Sequence, residues 1–273
     1  MHKSISSLQN PAVKKILQLQ EKARTRKKEK AFIVEGIREI TLAIKGGFEV
    51  LEIYFNAALF PAEKVEDLLG SPSPIEISEL SAEVYQKIAY RGSTEGIIAI
   101  VATKELSLDN LKFQSETPLI LVAEAPEKPG NIGALLRTAD AAAVDAVLIA
   151  NPKTDMFNPN IIRSSVGCIF TNRIATGSTT EIIEFLKERK IAIFGAALQA
   201  SVPYHSVDLT GGSAIVVGTE ATGLTEDWLQ NTTQNIVIPM EGEIDSMNVS
   251  VAAGILIFEA KRQRLRQYSG FRI

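Results

Sequence analysis

Asn131 and Arg137 stand six residues apart in a stretch that opens at Lys128-Pro129-Gly130, where an apolar run gives way to a helical pattern. Helix starts at the carboxyl ends of parallel strands present backbone N–H groups and gather ligands, anions above all. Gly130 and Gly133 would let a ligand approach the main chain. Asn131 at the helix start can cap it, bind a ligand, or both. Arg137, among Leu135, Leu136 and Ala139, needs an anion or a cleft; the alternative is a capped helix carrying a surface arginine. The three-glycine spacing of a dinucleotide fingerprint is not met.

Two further stretches have the same strand-to-helix character. Gly218-Thr219-Glu220-Ala221-Thr222-Gly223-Leu224 follows an apolar run. Gly218 lets a ligand pack against backbone, and Glu220 can hold an arginine or cap a loop through backbone N–H groups; a tight turn with a solvated Glu220 is the alternative. The third stretch runs from Ile238 to Ile255. Ser246 reads as an N-cap, and Asn248 and Ser250 put polar groups into the first turn of an apolar helix. A well-capped core helix accounts for Ser246 but not for Asn248.

The elements that must position these residues alternate regularly. Continuous apolar runs at 119–123, 146–150, 168–174, 191–196, 214–218 and 235–238 read as strands of a parallel sheet covered on both faces. Helical patterns at 131–142, 159–166, 180–190, 225–230 and 247–267 separate or follow them. This is an α/β layered domain. Ahead of it lies a smaller αβ unit with a helix over 10–30, a strand at 32–34, a helix at 35–45, a strand at 49–55, helices at 61–69 and 79–88, and a strand at 96–101. Asn10 can cap the first helix, with Pro11 at its first position. The division expected is 1–105, a linker 106–117 of mixed charge, and 118–273.

Composition bounds the function. Of the 273 residues, 45% are hydrophobic and 22% charged, ordinary globular usage. No apolar run is long enough for a membrane span, and the N-terminus lacks the apolar core of a secretory signal. One cysteine and two histidines argue against a disulfide or a metal centre. These features imply a cytoplasmic protein. The net charge of −3 is unevenly spread. Arg24, Arg26, Lys27, Lys28 and Lys30 form one basic cluster, and Lys261-Arg262-Gln263-Arg264-Leu265-Arg266 a second. Either can bind phosphates by releasing counterions, or be a solvated helix face.

In order and spacing, the three stretches resemble the motifs of the SpoU, or TrmH-type, RNA 2′-O-ribose methyltransferases of the SPOUT superfamily, over about residues 118–267. Residues Ile5 to Lys15 and Phe32 to Arg38 are similar to the N-terminal substrate-binding domain found in that family, which resembles RNA-binding ribosomal proteins. The stretch from Gly92 to Ile97 departs from the family's Thr-Pro-Gln-Gly-like sequence and bears on the target RNA. The resemblance implies a SPOUT α/β trefoil-knot catalytic domain, S-adenosylmethionine as cofactor, and a homodimer through that domain. It places Ala197, Leu198, Gly218, Ile238, Met240 and Met247 at the cofactor, with Met247 where leucine is usual. Asn131 and Arg137 would face the substrate, with Glu220 orienting one of them. Ser246 and Asn248 would shape the loop joining cofactor to substrate. A guanidinium does not give up its proton, so the role implied for Arg137 is to grip the target phosphate and stabilise a developing alkoxide.

The basic cluster at 22–30 then becomes an RNA contact. Ribosomal RNA is the first expectation, since this two-domain form resembles ribosomal RNA members, including some that confer thiopeptide resistance, and transfer RNA the second. A base methyltransferase on the same architecture, a catalytically silent RNA-binding or assembly factor, and more remotely a Rossmann dehydrogenase are the rivals.

Overall fold

The computed structural model describes residues 3–69, 75–90, 95–219, 222–243 and 246–269. It divides into two compact units, one of residues 1–105 with 157–171, the other of 106–156 with 172–273.

The first unit is built on a mixed five-stranded sheet. Its strands are β1 (Lys3–Ile5), β2 (Ala31–Glu35), β3 (Val50–Phe55), β4 (Glu76–Leu80) and β5 (Ile97–Ala102), in the order β1-β4-β3-β5-β2. Helix α1 (Pro11–Glu21) buries Val13, Ile16 and Leu19 against this sheet's core. Asn10 Oδ1 accepts from the Ala12 N–H at 2.9 Å, the expected cap.

The helix expected over 10–30 is broken. Lys22 is extended, and a separate helix α2 (Ala23–Glu29) follows. Helices α3 (Ile37–Lys45), α4 (Ala62–Leu69) and α5 (Ala82–Ile88) complete the chain's first pass. β4 ends at residues 79 and 80, where the sequence reading began a helix. Its inward-facing residue Ser78 is polar yet 2% exposed, so the alternation that marks a strand was hidden.

Residues 157–171, read as part of the catalytic span, cluster with the first unit. Phe157 stacks on Phe32 with ring centroids 4.5 Å apart, and Phe170 packs on the same ring. The segment contains α7 (Pro159–Ser164). The strand expected at 168–174 is not there: Val166 and Gly167 take positive φ (57° and 81°) and turn the chain, and β8 (Ile174–Gly177) begins only at the last expected residue.

The second unit carries a seven-stranded, all-parallel sheet in the order β10-β12-β9-β11-β6-β7-β8. Its strands besides β8 are β6 (Leu119–Glu124), β7 (Ala146–Ala150), β9 (Ala192–Ala196), β10 (Ser201–Pro203), β11 (Ser213–Val217) and β12 (Gln234–Val237). β1 and β10 are three-residue strands that no pattern in the sequence marked. The helices are α6 (Pro129–Ala141), α8 (Thr179–Glu188), α9 (Glu226–Asn231) and α10 (Val249–Ser269). β6, β7 and β11 are buried throughout, as sheets covered on both faces require.

The expected linker is not free. Leu111 is buried in the sheet's core, with Leu108 and Phe113 packed against it. α10 is locked down near its carboxyl end. Arg264 donates to the carbonyls of Leu209, Gly211 and Thr117 at 2.9, 2.5 and 2.5 Å. Arg262 pairs with Glu259 at 2.6 Å. Two arginines of the second basic run are thereby committed within the fold. The parallel sheet, with α10 bound back onto the loops entering β6 and β11, is of the kind trefoil-knot methyltransferases carry.

Candidate active site

The parallel sheet delivers five chain segments to its carboxyl edge, where ligands of such sheets gather. The ends of β9 and β12, the turn after β11 and the start of α10 enclose a cavity of about 450 Å³. Ala197, Leu198, Ile238, Met240, Ser246 and Met247 all line it, so the structure brings together five of the six residues expected at a cofactor. The end of β6, the start of α6 and the same turn after β11 line a second cavity of about 510 Å³, which holds Asn131 and Gly218. Thr219 and Thr222 belong to both walls. Gly218 therefore lies in the wall of the second cavity rather than the first.

The turn between them is tightly closed. Thr219 and Gly223 exchange both backbone hydrogen bonds at 3.0 and 3.1 Å. A Cβ on Gly218 would fall 2.2 Å from the Gly223 carbonyl carbon, so only glycine fits there. Gly223 is needed for another reason: its φ of +68° is one that side chains disfavour.

Asn248 links the two cavities. It sits just before α10, where its Oδ1 accepts from the Ser250 N–H and hydroxyl at 2.9 and 2.6 Å. Asn248, not Ser246, is thus the residue that caps α10. With its oxygen committed, Nδ2 donates to Asn131 Oδ1 at 3.2 Å. Asn131 stands in the first turn of α6, whose cap position is Lys128, so its side chain is not the helix cap. Arg137 lies further along α6. It is exposed, lines neither cavity, and makes no hydrogen bond or ion pair with a described residue. Glu220 lies outside the described residues.

Among the basic candidates the structure separates two kinds. Arg24, Lys27, Lys28 and Lys30 are exposed. Arg26 is 3% exposed, and its guanidinium donates to the carbonyls of Leu19 and Gln20 at 2.7 and 3.1 Å. It satisfies the end of α1 and is not available to a phosphate, which corrects its assignment as an RNA contact.

The sequence reading missed Glu124, Asn151 and Thr219, which line the second cavity. Glu124 had a signal: it is the one charged residue closing an otherwise apolar strand, and it is buried with three donors around it.

The first cavity fits an adenosyl cofactor without phosphates. Its described lining contains no charged side chain, so nothing there balances a phosphate or pyrophosphate. Leu198 and Met240 are 65% and 40% exposed, apolar surface at the wall that a purine or a thioether chain would cover. Among the described residues no cluster of acidic, histidine or cysteine side chains could hold a metal, and no helix is long and apolar enough to cross a membrane.

Comparison with known proteins agrees with this geometry. Residues 118–258 match the model of the SpoU rRNA Methylase family, and residues 10–99 match an MRM3-like substrate binding domain. The 23S rRNA (guanosine(2553)-2′-O)-methyltransferase RlmP of Bacillus subtilis is 29% identical over 263 residues, covering 95% of this chain and 99% of that enzyme. The crystal structure of an RNA 2′-O ribose methyltransferase superposes with a TM-score of 0.82 at 35% identity, covering 96% of this chain and 99% of that one. An AdoMet-bound rRNA methyltransferase from Sinorhizobium meliloti superposes with a TM-score of 0.86 at 25% identity over 95% of this chain and 97% of that one. A parallel sheet with two cavities at its carboxyl edge, three motifs converging there, and a family match across more than half the chain lead to one conclusion: the chain belongs to the SpoU rRNA methylase family.

Proposed function

We propose that the protein transfers a methyl group from S-adenosylmethionine to a ribose 2′-hydroxyl of ribosomal RNA. The observation that carries this reading is the Asn248–Asn131 hydrogen bond: Asn131 lines the second cavity, and Asn248 stands in the chain between Met247 in the wall of the first and Val249 in the wall of the second. Two of the relatives described above are 2′-O-methyltransferases by name, and RlmP acts on 23S rRNA.

The cofactor, held by Ala197, Leu198, Ile238, Met240 and Met247, supplies an electrophilic methyl group on sulfur. The chain's own residues do the positioning. Asn131 and Asn248, bound to each other, hold the ribose so that its 2′-oxygen is in line with that methyl group, which is the chief catalytic demand of a displacement. Ser246 shapes the loop between the two. Arg137 lies six residues beyond Asn131, about 9 Å along the helix axis. From there it clasps a phosphate of the target strand and stabilises the developing alkoxide; a phosphate oxygen takes the proton. Glu220 orients Arg137 or Asn131. The unit of residues 1–105 with 157–171 binds RNA, with Arg24, Lys27, Lys28 and Lys30 against its phosphates, and the unit of 106–156 with 172–273 carries the chemistry.

A homodimer through the catalytic domain completes the reading. Val251, Phe258 and Leu265 recur every seven residues on α10 and are 53, 50 and 65% exposed, an apolar stripe on a helix whose other face is buried.

The test is transfer of labelled methyl groups to ribosomal and to transfer RNA, followed by alkaline hydrolysis. Ribose methylation leaves label in an alkali-resistant dinucleotide of ribosomal RNA. Label released as a methylated mononucleotide, or found in transfer RNA alone, would reject the proposal. Arg137→Ala abolishes turnover with cofactor affinity nearly unchanged; equal loss of both would reject the role given to Arg137.

A further inference from the structure

We infer that the second cavity takes the nucleobase of the target nucleotide, unpaired, and reads its Watson–Crick edge through Asn151 and Lys153, with the buried carboxylate of Glu124 as the positioning residue behind them. The inference rests on the methyltransferase reading and adds to it where the base goes and what recognises it.

Glu124 closes β6 and is 2% exposed. Its Oε2 accepts from the Thr179 hydroxyl at 2.7 Å and from the Trp228 Nε1–H at 2.6 Å, and its Oε1 accepts from Asn151 Nδ2 at 3.1 Å. An ionised carboxylate can only accept. The Thr179 proton therefore points at Glu124, and the Thr179 oxygen is left to accept from the same Asn151 Nδ2, at 2.7 Å. Both amide hydrogens of Asn151 are spent on this buried network. Turning the amide over would set its oxygen against a carboxylate and a hydroxyl lone pair, so the orientation is fixed.

Asn151 Oδ1 is what remains. Asn151 lines the second cavity, and no described residue donates to this oxygen. The backbone supports the same placement: Asn151 has φ +46°, which asparagine tolerates better than most residues, and it turns the chain as it leaves β7. Lys153, two residues on in the same wall, is exposed and without an ion pair to a described residue. A fixed acceptor beside a cationic donor complements a base edge that offers an N–H next to a keto oxygen or ring nitrogen. In a duplex that edge is occupied by the opposite strand, so the nucleotide must be extruded or lie in a loop, the state in which proteins read RNA bases. Asn131, in the same cavity, is then beside the ribose.

The test is steady-state methyl transfer to ribosomal RNA purified from cells lacking this enzyme, with the full-length protein. Asn151→Gly suits the left-handed backbone and removes only the amide. It lowers kcat/KM for RNA by about tenfold, the scale of one good base contact, while S-adenosylhomocysteine affinity by calorimetry is unchanged. Glu124→Gln offers an amide hydrogen where Asn151 donates, releases the Asn151 orientation, and produces a similar loss. The double variant is no worse than either single one, because Glu124 acts through Asn151. An unaffected Asn151→Gly enzyme, or fully additive losses in the double variant, would overturn the inference. Should Glu124→Gln fail to fold, Asn151→Gly and Lys153→Ala decide alone, by whether KM for RNA rises. A wild-type enzyme that transfers no ribose methyl group would sink the methyltransferase reading itself, a result distinct from any of these.

Discussion

Asn248 Nδ2 donates to Asn131 Oδ1 at 3.2 Å, between residues 117 positions apart in the chain. The bond ties the first turn of α6 to the entrance of α10. Asn248 also caps α10 through Oδ1, so its two ends have separable jobs. Asn248→Asp keeps the capping oxygen and places a negative charge at a helix N-terminus, which is favourable. It replaces the donor that faces Asn131 with an acceptor. The expected outcome is an unchanged or raised melting temperature with methyl transfer reduced roughly a hundredfold, the cost of a small misplacement of reacting groups. Calorimetric unfolding and single-turnover assays on the same preparation check it. A variant that unfolds early, with its capping oxygen intact, would show the bond to Asn131 to be structural rather than catalytic.

Gly218→Ala tests the turn between the cavities. The added methyl group meets the Gly223 carbonyl carbon at 2.2 Å, and backbone cannot yield as a side-chain tip can. The turn must open, at a cost of about 1–3 kcal/mol, and Thr219 and Thr222 move with it. Calorimetry with S-adenosylhomocysteine will read a loss of affinity of tenfold or so. Alanine at Gly130, where an added Cβ meets nothing within 4 Å, is the control that leaves affinity alone.

How much of this site could be read beforehand depended on where each residue's partner lies in the chain. Asn131 and Gly218 were legible because each sits at a strand-to-helix junction with a recognisable local pattern, and Ile238 and Met247 through the resemblance of their stretch to a family motif. Asn151 was not, and Glu124 showed only as a charge closing an apolar strand, with nothing to say what it holds. Their partners, Thr179 and Trp228, come from helices far along the chain, and no local pattern reports such a pairing. Arg26 was misread for the same reason: a lone arginine in a basic run looks solvated until the carbonyls it caps are seen. The fold behaves alike. Fully buried parallel strands announced themselves as apolar runs, whereas β4, with Ser78 facing inward, and the three-residue β1 and β10 owe their existence to neighbours. The bond between Asn131 and Asn248 was likewise invisible, although both residues were singled out.

The basic cluster divides into a buried arginine and exposed lysines, and a salt series tests their roles separately. Arg26→Met leaves the carbonyls of Leu19 and Gln20 without their donor and destabilises the protein by about 2–3 kcal/mol. Lys27→Ala with Lys28→Ala leaves the melting temperature in place. It flattens the dependence of RNA affinity on salt, by roughly one unit of log–log slope for each phosphate that no longer meets a lysine. Filter binding across a salt series reads this. An unchanged slope would remove these lysines from the interface.

Acid should unfold the first unit through Glu52. Burial alone would raise the Glu52 pKa, but hydrogen bonds from Lys15, at 2.6 Å, and from Tyr54 outweigh it and hold the carboxyl below its ordinary 4.5. A carboxylate with a depressed folded-state pKa adds stability above its unfolded value and loses it as pH falls through the folded one. The melting temperature of the wild type is therefore expected to drop more steeply below about pH 4.5 than that of Glu52→Gln, with the two curves converging at the acid end. Parallel curves over this range would mean that Glu52 gains nothing from Lys15 and Tyr54.

Val251, Phe258 and Leu265 form an exposed apolar stripe along α10. Ala253, Leu256, Ile257 and Ala260 on the same helix are buried within the unit, so the stripe cannot turn inward. Side chains of this size left half exposed at seven-residue spacing are suited to a second copy of the same helix, related by a twofold axis. Phe258→Glu places a charge at the middle of that seam. It weakens association by at least about 2 kcal/mol, some thirtyfold in Kd. Sedimentation velocity at micromolar protein should show the wild type as a dimer and Phe258→Glu with Leu265→Glu as a monomer that retains its secondary structure. A double variant that still sediments as a dimer would move the interface off α10.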